Sequence, residues 1–176
     1  MALSNHRILV TGANGFIGKN LVVRLNELAN ITVSTFVRGD DMPRLPQLVA
    51  QADAVVHLAG ENRPADEAAF SQVNAGLTSA LCEAIQQEYA TTGRHVSLVL
   101  ASSTQAERDN PYGRSKLAAE VAVKSLTQAT GNPCVYFDYQ AFLVSGVSPT
   151  TTRWSPRFAT IWRGTCPYRS MTRMLQ

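Results

Sequence analysis

The chain has 176 residues, enough for one domain with a sizeable core, and its 45% hydrophobic and 16% charged residues are typical of a soluble globular protein. We expect a cytoplasmic protein, because the sequence contains neither a basic region followed by an apolar stretch nor an apolar run of membrane-spanning length. The three cysteines are widely spaced, which favours reduced core thiols over a disulfide framework or a metal cluster.

The net charge of +3 comes from the last part of the chain. Residues 139–176 carry five arginines and no lysine or acid, so 11 basic and 13 acidic residues remain in the first 138. The interleaving of basic and aromatic residues that is typical of a nucleic-acid site is not found. We therefore expect no nucleic-acid partner.

The chain opens with a strand, a glycine turn and a helix. Residues 7–10 are an apolar run typical of a buried parallel strand, and apolar residues recur at helical spacing over residues 16–28. Between them lie Gly12, Gly15 and Gly18. In a dinucleotide-binding unit such glycines allow a tight turn, the approach of pyrophosphate to the backbone and close packing of helix on strand. The helix N-terminus then offers N–H groups and a positive dipole end to the phosphates.

A second apolar run, Ile31–Val37, predicts the next strand, and Arg38 follows it. In the dinucleotide unit an acid at this place would bind the adenosine ribose, whereas an arginine can hold a 2′-phosphate. Arg38 therefore favours NADPH over NADH. Asp40 and Asp41 lie nearby and weaken this interpretation, and a solvated arginine at a strand end is the alternative.

Helices and strands alternate along the following residues. We predict a short helix over residues 42–50, a strand over 54–60, a long helix over 65–88, a strand over 97–101, a helix over 112–130 and a fifth strand beginning at 134–137. His57, inside the third strand, is expected to be a satisfied core residue. The alternation predicts an α/β fold, a Rossmann-like parallel sheet with helices on both faces, in which the first and fourth strands pair.

Tyr112 and Lys116 lie four residues apart near the start of a predicted helix, so their side chains share one face. A free tyrosine, with a pKa of about 10, is a poor acid–base group at neutral pH. A neighbouring ammonium favours the phenolate and brings the phenol nearer to the working range. A serine at the end of the preceding strand can hydrogen-bond the same substrate oxygen. The three side chains together predict proton exchange with an oxygen whose carbon exchanges hydride with nicotinamide.

Four motifs resemble those of the extended short-chain dehydrogenases/reductases, the NAD-dependent epimerase/dehydratase superfamily. They are the glycine turn, H-L-A-G at residues 57–60, S-S at 102–103 and Y-G-R-S-K at 112–116. Two further stretches, G-E-N-R-P at residues 60–64 and the segment over residues 102–112, resemble the bacterial capsule and O-antigen reductases of the UDP-N-acetyl-L-fucosamine pathway. The likeness covers roughly residues 7–136.

The resemblance implies a homodimer, with no membrane partner, that uses NADPH to reduce the C4 ketone of a UDP-2-acetamido-2,6-dideoxy-4-hexulose to the L-talo sugar. It also implies a set of site residues without a metal. These are catalytic Ser103, Tyr112 and Lys116; cofactor-binding Gly12, Asn14, Gly15, Phe16, Ile17, Gly18, Arg38, Leu58, Ala59, Gly60, Tyr112 and Lys116; and substrate-facing Asn62 and Arg63.

The family pattern stops after residue 137. We expect residues 1–137 to form an incomplete NAD(P)-binding domain and residues 138–176 to form an irregular, aberrant tail. The family would continue as R-L-P-G-V-F-G-K-W. Residues 137–146 can be encoded by TTC GAC TAC CAG GCG TTT TTG GTA AGT GGT, and this string read from its third base gives that phrase. A frameshift near residues 136–137 is therefore our hypothesis.

The frameshift hypothesis has consequences for activity. The sugar-binding lobe and the C-terminal cupin-like domain of the family are then expected to be absent, and the chain is expected to be inactive or weakly active. Two other functions stay open. One is another nucleotide-sugar epimerase or dehydratase, although dehydratases commonly place Asp and Glu where this chain has Thr104 and Gln105. The other is a non-catalytic NADP-binding module, which would not need the three catalytic side chains.

Overall fold

The computed structural model describes residues 5–60 and 75–138, all within one compact unit of the chain. The described residues form five strands and four α-helices. In chain order these are β1 (His6–Thr11), α1 (Phe16–Asn26), β2 (Ile31–Phe36), α2 (Arg44–Gln51), β3 (Ala54–His57), α3 (Leu77–Thr92), β4 (Ser97–Ser102), α4 (Pro111–Thr130) and β5 (Cys134–Asp138). A short 3₁₀ helix, Thr104–Glu107, lies between β4 and α4.

The five strands run parallel in one sheet, in the order β2-β1-β3-β4-β5. The chain leaves β1 for β2 on one side and returns through α2 to β3 on the other, so the direction of winding reverses at β1. In doubly wound sheets, ligands bind outside the carboxyl ends of the strands at such a switch point. This topology confirms the predicted Rossmann-like parallel sheet.

Helices cover both faces of the sheet, as predicted. On one face Leu25 of α1 packs in a cluster with Val10 and Ala13. Successive residues of a strand point to opposite faces, so the fully buried Leu9 and Val55, which are register partners, point to the other face. There α2, α3 and α4 pack side by side. Right-handed crossovers explain this division, because the connections that follow β2 all run in the opposite direction to the first one.

The predicted pairing of the first and fourth strands was wrong. β1 pairs with β2 and β3, and β4 pairs with β3 and β5. The physical reason lies in the order in which the described strands join the sheet. On one side of β1 the chain adds a single strand, β2, and then returns to the other side of β1. The third strand therefore takes the place beside β1. The carboxyl ends of β1, β3 and β4 still lie at the same end of the sheet, because all the pairs are parallel.

Several element ends differ from the predicted ones. β3 ends at His57, and residues 58–60 leave the sheet as a loop. α3 continues to Thr92, beyond its predicted end at residue 88, and stops at Gly93 with a φ of 71°. Its predicted beginning lies outside the described residues, as does the predicted tail after Asp138. None of the described helices is both long and apolar enough to span a membrane.

Arg94 joins several segments at the amino end of the sheet. Its guanidinium donates to the main-chain oxygens of Ala50 and Ala52, each at 2.6 Å, and to Glu88 Oε1 at 3.1 Å. Its Nη1 also lies 3.7 Å from Asp53 Oδ1. These oxygens include carbonyls at the C-terminus of α2, which have no intrahelical donor. The side chain therefore satisfies the end of α2 and joins it to the start of β4.

Candidate active site

The turn after β1 is shaped by two close approaches of main chain to main chain. Gly12 has a φ of +73°, and a Cβ at this position would lie 2.6 Å from Ala59 N. A Cβ at Gly18 would collide with Gly12 O and lie 2.7 Å from Ala13 Cα. Glycine at both positions therefore lets the turn lie against the loop after β3 and lets α1 pack close to β1.

The N-terminus of α1 lies at the carboxyl end of β1. Gly15 is the N-cap and has no side chain with which to satisfy the first N–H groups of the helix. Asn14 and Gly15 are exposed, and Phe16 is 75% exposed, so the side chain of Phe16 lies outside the core. Ile17 is half-buried. Accessible N–H groups at a helix N-terminus form an anion-binding site of the kind that pyrophosphate requires.

A buried chain of three side chains holds the ends of β1 and β3 together. Thr11 Oγ1 lies 2.5 Å from His57 Nδ1, and His57 Nε2 lies 2.9 Å from Thr78 Oγ1 at the start of α3. Ala59 N donates to Thr11 Oγ1 at 3.3 Å. Burial, and secondarily the positive charge of Lys116, lower the pKa of His57 to about 3. His57 is therefore a neutral, satisfied core histidine, as predicted, and its two threonine partners were not foreseen.

The loop after β3 faces the glycine turn. Leu58 and Ala59 are half-buried and Gly60 is exposed, and Leu58 N donates to Thr11 O at 3.1 Å. The loop thus lies at the switch point between β1 and β3, beside Gly12. Three of the residues that the resemblance assigned to the cofactor are in this loop.

Arg38 is exposed two residues after the end of β2. Of the two neighbouring acids, Asp40 is bound within its own turn and Asp41 is exposed. Asp40 Oδ2 accepts from Val37 N at 2.8 Å, and Asp40 Oδ1 lies 3.3 Å from Arg44 Nη1. Both oxygens of the Asp40 carboxylate therefore bind groups of the adjoining turn and of α2, whereas Asp41 is exposed.

Tyr112 and Lys116 lie at the start of α4. Asn110 caps this helix by accepting from Gly113 N at 2.7 Å, and proline occupies the first helical position, where it is favoured. Lys116 Nζ lies 5.8 Å from the centre of the Tyr112 ring and donates to Ala101 O at 3.2 Å. Lys116 is buried and Tyr112 is half-buried. The predicted pair is thus formed against the carboxyl end of β4.

Burial lowers the pKa of Lys116, and the negative charge of Glu120 acts in the opposite direction. Ser102 Oγ donates to a carboxylate oxygen of Glu120. The sequence prediction missed this link between β4 and α4. The four-residue spacing places Glu120 on the same face of the helix as Lys116, but it does not indicate the contact with Ser102.

Ser103 is buried just after β4 and caps the 3₁₀ helix by accepting from Gln105 N at 3.2 Å. The 3₁₀ helix and the start of α4 are in close contact at Gly113. A Cβ there would collide with the main-chain oxygens of Gln105 and Arg108. Glycine after Tyr112 therefore lets the segment that follows Ser103 pack directly on the first turn of α4.

The predicted substrate residues Asn62 and Arg63 lie outside the described residues. Within residues 5–60 and 75–138, no group of three or more His, Cys, Asp or Glu residues could hold a metal ion. What the described site brings to one end of the sheet is a glycine turn with an accessible helix N-terminus, the loop after β3 and the Tyr112–Lys116 pair. Such an arrangement can hold a dinucleotide beside a phenol that can exchange a proton.

The chain belongs to the NAD dependent epimerase/dehydratase family, whose model matches residues 8–160. The fold and the family prediction are thereby confirmed. Among its relatives is the UDP-2-acetamido-2,6-beta-L-arabino-hexul-4-ose reductase of Pseudomonas aeruginosa. The two are 44% identical over 131 residues, which are 74% of this chain and 34% of the reductase.

Two further relatives belong to the same comparison. The dTDP-glucose 4,6-dehydratase of Mycolicibacterium smegmatis is 30% identical over an alignment that covers 71% of this chain and 50% of the dehydratase. The crystal structure of the capsular polysaccharide assembling protein CapF from Staphylococcus aureus is 32% identical, with a TM-score of 0.62, and the match covers 74% of this chain and 34% of CapF. The chain thus spans about a third of the length of the reductase and of CapF, and half that of the dehydratase.

Proposed function

We propose that the chemistry of this chain is NADPH-dependent reduction of the C4 ketone of a UDP-2-acetamido-2,6-dideoxy-4-hexulose, in capsule or O-antigen biosynthesis. The observation that carries the proposal is the Tyr112–Lys116 pair against β4, at the same end of the sheet as the glycine turn. The 44% identity to a reductase named for a UDP-hexulose supports the substrate class.

The residues present fit a dinucleotide. Gly12 and Gly18 let the turn fold closely against the loop after β3 and let α1 pack close to β1, and the N-terminus of α1 is accessible. The phosphates would be held by the turn over residues 12–18, and the loop at residues 58–60 would border the same cofactor. When bound, the nicotinamide supplies the hydride that C4 receives.

The chain's own part in the reaction is to supply the proton. As C4 takes up hydride, the ketone oxygen gains negative charge and takes the proton of the Tyr112 hydroxyl, which gives the alcohol. Lys116 stabilises the phenolate that is left, and solvent reprotonates it. The Ser103 hydroxyl hydrogen-bonds the same substrate oxygen. One hydride and one proton thus account for the whole reduction.

NADPH is proposed in preference to NADH because of the end of β2. Arg38 follows that strand in the place from which an arginine can hold a 2′-phosphate. Asp40 would be the competing ribose ligand, but its carboxylate is bound to Val37 N and Arg44. The position therefore favours a phosphate over a free ribose hydroxyl.

Three further parts of the proposal concern residues beyond the described site or other copies of the chain. Asn62 and Arg63 contact the sugar nucleotide.

Residues 138–176 are read in a shifted frame, so this chain itself turns over slowly or not at all. Sequencing the DNA around codons 130–150 tests this part of the proposal. An intact frame that encodes the same tail in close homologues would refute it. The functional form is a homodimer, and the exposed Leu117 and Val121, one turn apart on α4, suit a helix-to-helix contact.

The reduction is tested by following NADPH absorbance with the UDP-ketohexose, in the chain and in a version with the frame restored after Tyr136. Tyr112→Phe in the restored version is expected to lower turnover by roughly 10²–10⁴-fold, the usual contribution of a general acid. Tyr89→Phe is the matched control, because the Tyr89 ring packs 4.8 Å from that of His95, at the other end of β4. Undiminished reduction by Tyr112→Phe would overturn the proposed role.

A nucleotide-sugar 4,6-dehydratase is the second candidate, favoured by the 30% identity to such an enzyme. A dehydratase releases water from a hexose and returns its hydride, so it consumes no NADPH overall. Supplying UDP-N-acetylhexosamine with NAD and analysing the product therefore separates the two reactions. A non-catalytic NADP-binding module would bind NADPH and convert neither sugar.

A further inference from the structure

A carboxylate lies one helical turn beyond Lys116. Tyr112, Lys116 and Glu120 follow one another at intervals of four residues on α4, so they share one face of the helix. Ser102, the last residue of β4, donates its hydroxyl to Glu120 Oε1. The residue before it, Ala101, accepts from Lys116 Nζ. The end of one strand thus holds both the ammonium and the carboxylate.

A buried ammonium needs a compensating charge. Lys116 is 8% exposed, and burial lowers its pKa. Among the described residues, Glu120 is the charged group that raises the pKa of Lys116. A lysine that loses its proton at working pH would no longer stabilise the phenolate of Tyr112.

Two other titratable rings of the described residues, one coupled to Lys116 and one to Glu120, are neutral near pH 7. His57, on β3, has a pKa of about 3 because of its burial and the charge of Lys116. Tyr136, on β5, interacts with Glu120, and burial raises the pKa of Tyr136 to about 12. Neither ring therefore supplies the negative charge that the ammonium requires.

We propose that Glu120, held by Ser102, is a positioning residue of this site and supplies the counter-charge that keeps Lys116 an ammonium. The inference deepens the proposed function, since it rests on Lys116 acting through Tyr112. Glu120 acts on the substrate only through those two residues. Ser102 fixes the carboxylate beside the helix and, unlike Ser103, contacts no reacting atom.

The test measures the lysine directly. The sequence contains three lysines, Lys19, Lys116 and Lys124, so a chain labelled with carbon-13 at the lysine ε carbon gives three resonances, each assignable by a single Lys→Arg substitution. Lys19, on α1, is exposed and serves as the internal reference, whereas Lys124 follows Glu120 by one helical turn and does not. Glu120→Gln keeps the shape and an oxygen for Ser102 but removes the charge. It is expected to lower the titration midpoint of Lys116 by about 1 pH unit or more and to leave the resonance of Lys19 unchanged.

Three further variants keep the experiment decisive. Glu120→Asp retains the charge and is expected to restore most of the midpoint. Ser102→Ala releases the carboxylate and should give a smaller shift in the same direction; it carries the test if Glu120→Gln fails to fold. Glu83→Gln removes an exposed carboxylate on α3 and should change nothing.

The outcomes separate the two proposals. An unchanged Lys116 midpoint in both Glu120→Gln and Ser102→Ala overturns the role of Glu120 and leaves the proposed reduction standing. A shifted midpoint together with full ketone reduction by Tyr112→Phe leaves the counter-charge intact and overturns the proposed role of Tyr112 in the reduction.

Discussion

Replacing Gly12 by alanine tests the feature on which the cofactor site depends, the close approach of two loops. The substitution has two separate costs. A left-handed backbone costs a residue with a Cβ about 1–2 kcal/mol. The new Cβ would also lie 2.6 Å from Ala59 N and 2.7 Å from Ala59 Cα. Forcing these main-chain atoms apart adds about 1–3 kcal/mol of overpacking, so Gly12→Ala is expected to lower the free energy of unfolding by about 2–5 kcal/mol.

Gly93→Ala is the matched control. Gly93 has nearly the same φ, +71°, but no atom lies within 4 Å of the position that its Cβ would take. This variant is expected to lose only the backbone term, about 1–2 kcal/mol. The difference between the two variants, measured by urea unfolding, therefore isolates the contact between the turn after β1 and the loop after β3.

The affinity for NADPH is a second and independent measurement on the Gly12→Ala and Gly93→Ala variants. If the turn moves, N–H groups that would reach the pyrophosphate move with it, and each lost bond to a charged group is worth about 1.5–3 kcal/mol. NADPH affinity, measured by fluorescence, should fall by at least about tenfold in Gly12→Ala and stay unchanged in Gly93→Ala. Equal losses of stability and affinity in the two variants would refute the reasoning.

Three other predictions concern single side chains. Arg38→Ala should weaken NADPH binding by roughly 10–100-fold, because charged hydrogen bonds to the 2′-phosphate are lost, while calorimetry with NADH shows no change; equal weakening for both cofactors would remove Arg38 from its proposed role. His57 should stay neutral between about pH 8 and about pH 5 in proton NMR. Because the buried ring refuses a proton that the unfolded chain accepts, the free energy of unfolding should fall from about pH 6.5 towards pH 3, at up to about 1.4 kcal/mol per unit. Arg94→Ala should cost about 1.5–3 kcal/mol in urea unfolding, with NADPH affinity retained; a loss of affinity would mean that this side chain also supports the site.

Local patterns in the sequence were sufficient for most of the fold. The order of strands and helices and the pairing of Tyr112 with Lys116 on one helix face follow from spacing alone, since a four-residue interval fixes neighbours on a helix. The position of Gly12 followed from motif chemistry, because only a few residue types suit a left-handed turn.

What the sequence could not supply were contacts between segments distant along the chain. Thr11, His57 and Thr78 meet only after three elements have been placed, and Ser102 reaches Glu120 only once β4 lies beside α4. The expected pairing of the first and fourth strands was wrong for a related reason. Which strand lies beside β1 depends on how many strands are placed before the chain crosses back, and no short window of residues contains that information.

Arg94 and the groups that it contacts in Ala50, Ala52, Asp53 and Glu88 lie at the amino end of the strands. Every candidate catalytic and cofactor residue that the structure describes lies at or beyond their carboxyl ends. The two ends of the sheet therefore have largely independent roles. Substitutions that strengthen the amino end, for instance around Asp53 and Glu88, should raise stability and leave ligand affinity unchanged. Substitutions combined from opposite ends should then show additive effects on stability, as expected for sites that share no partners.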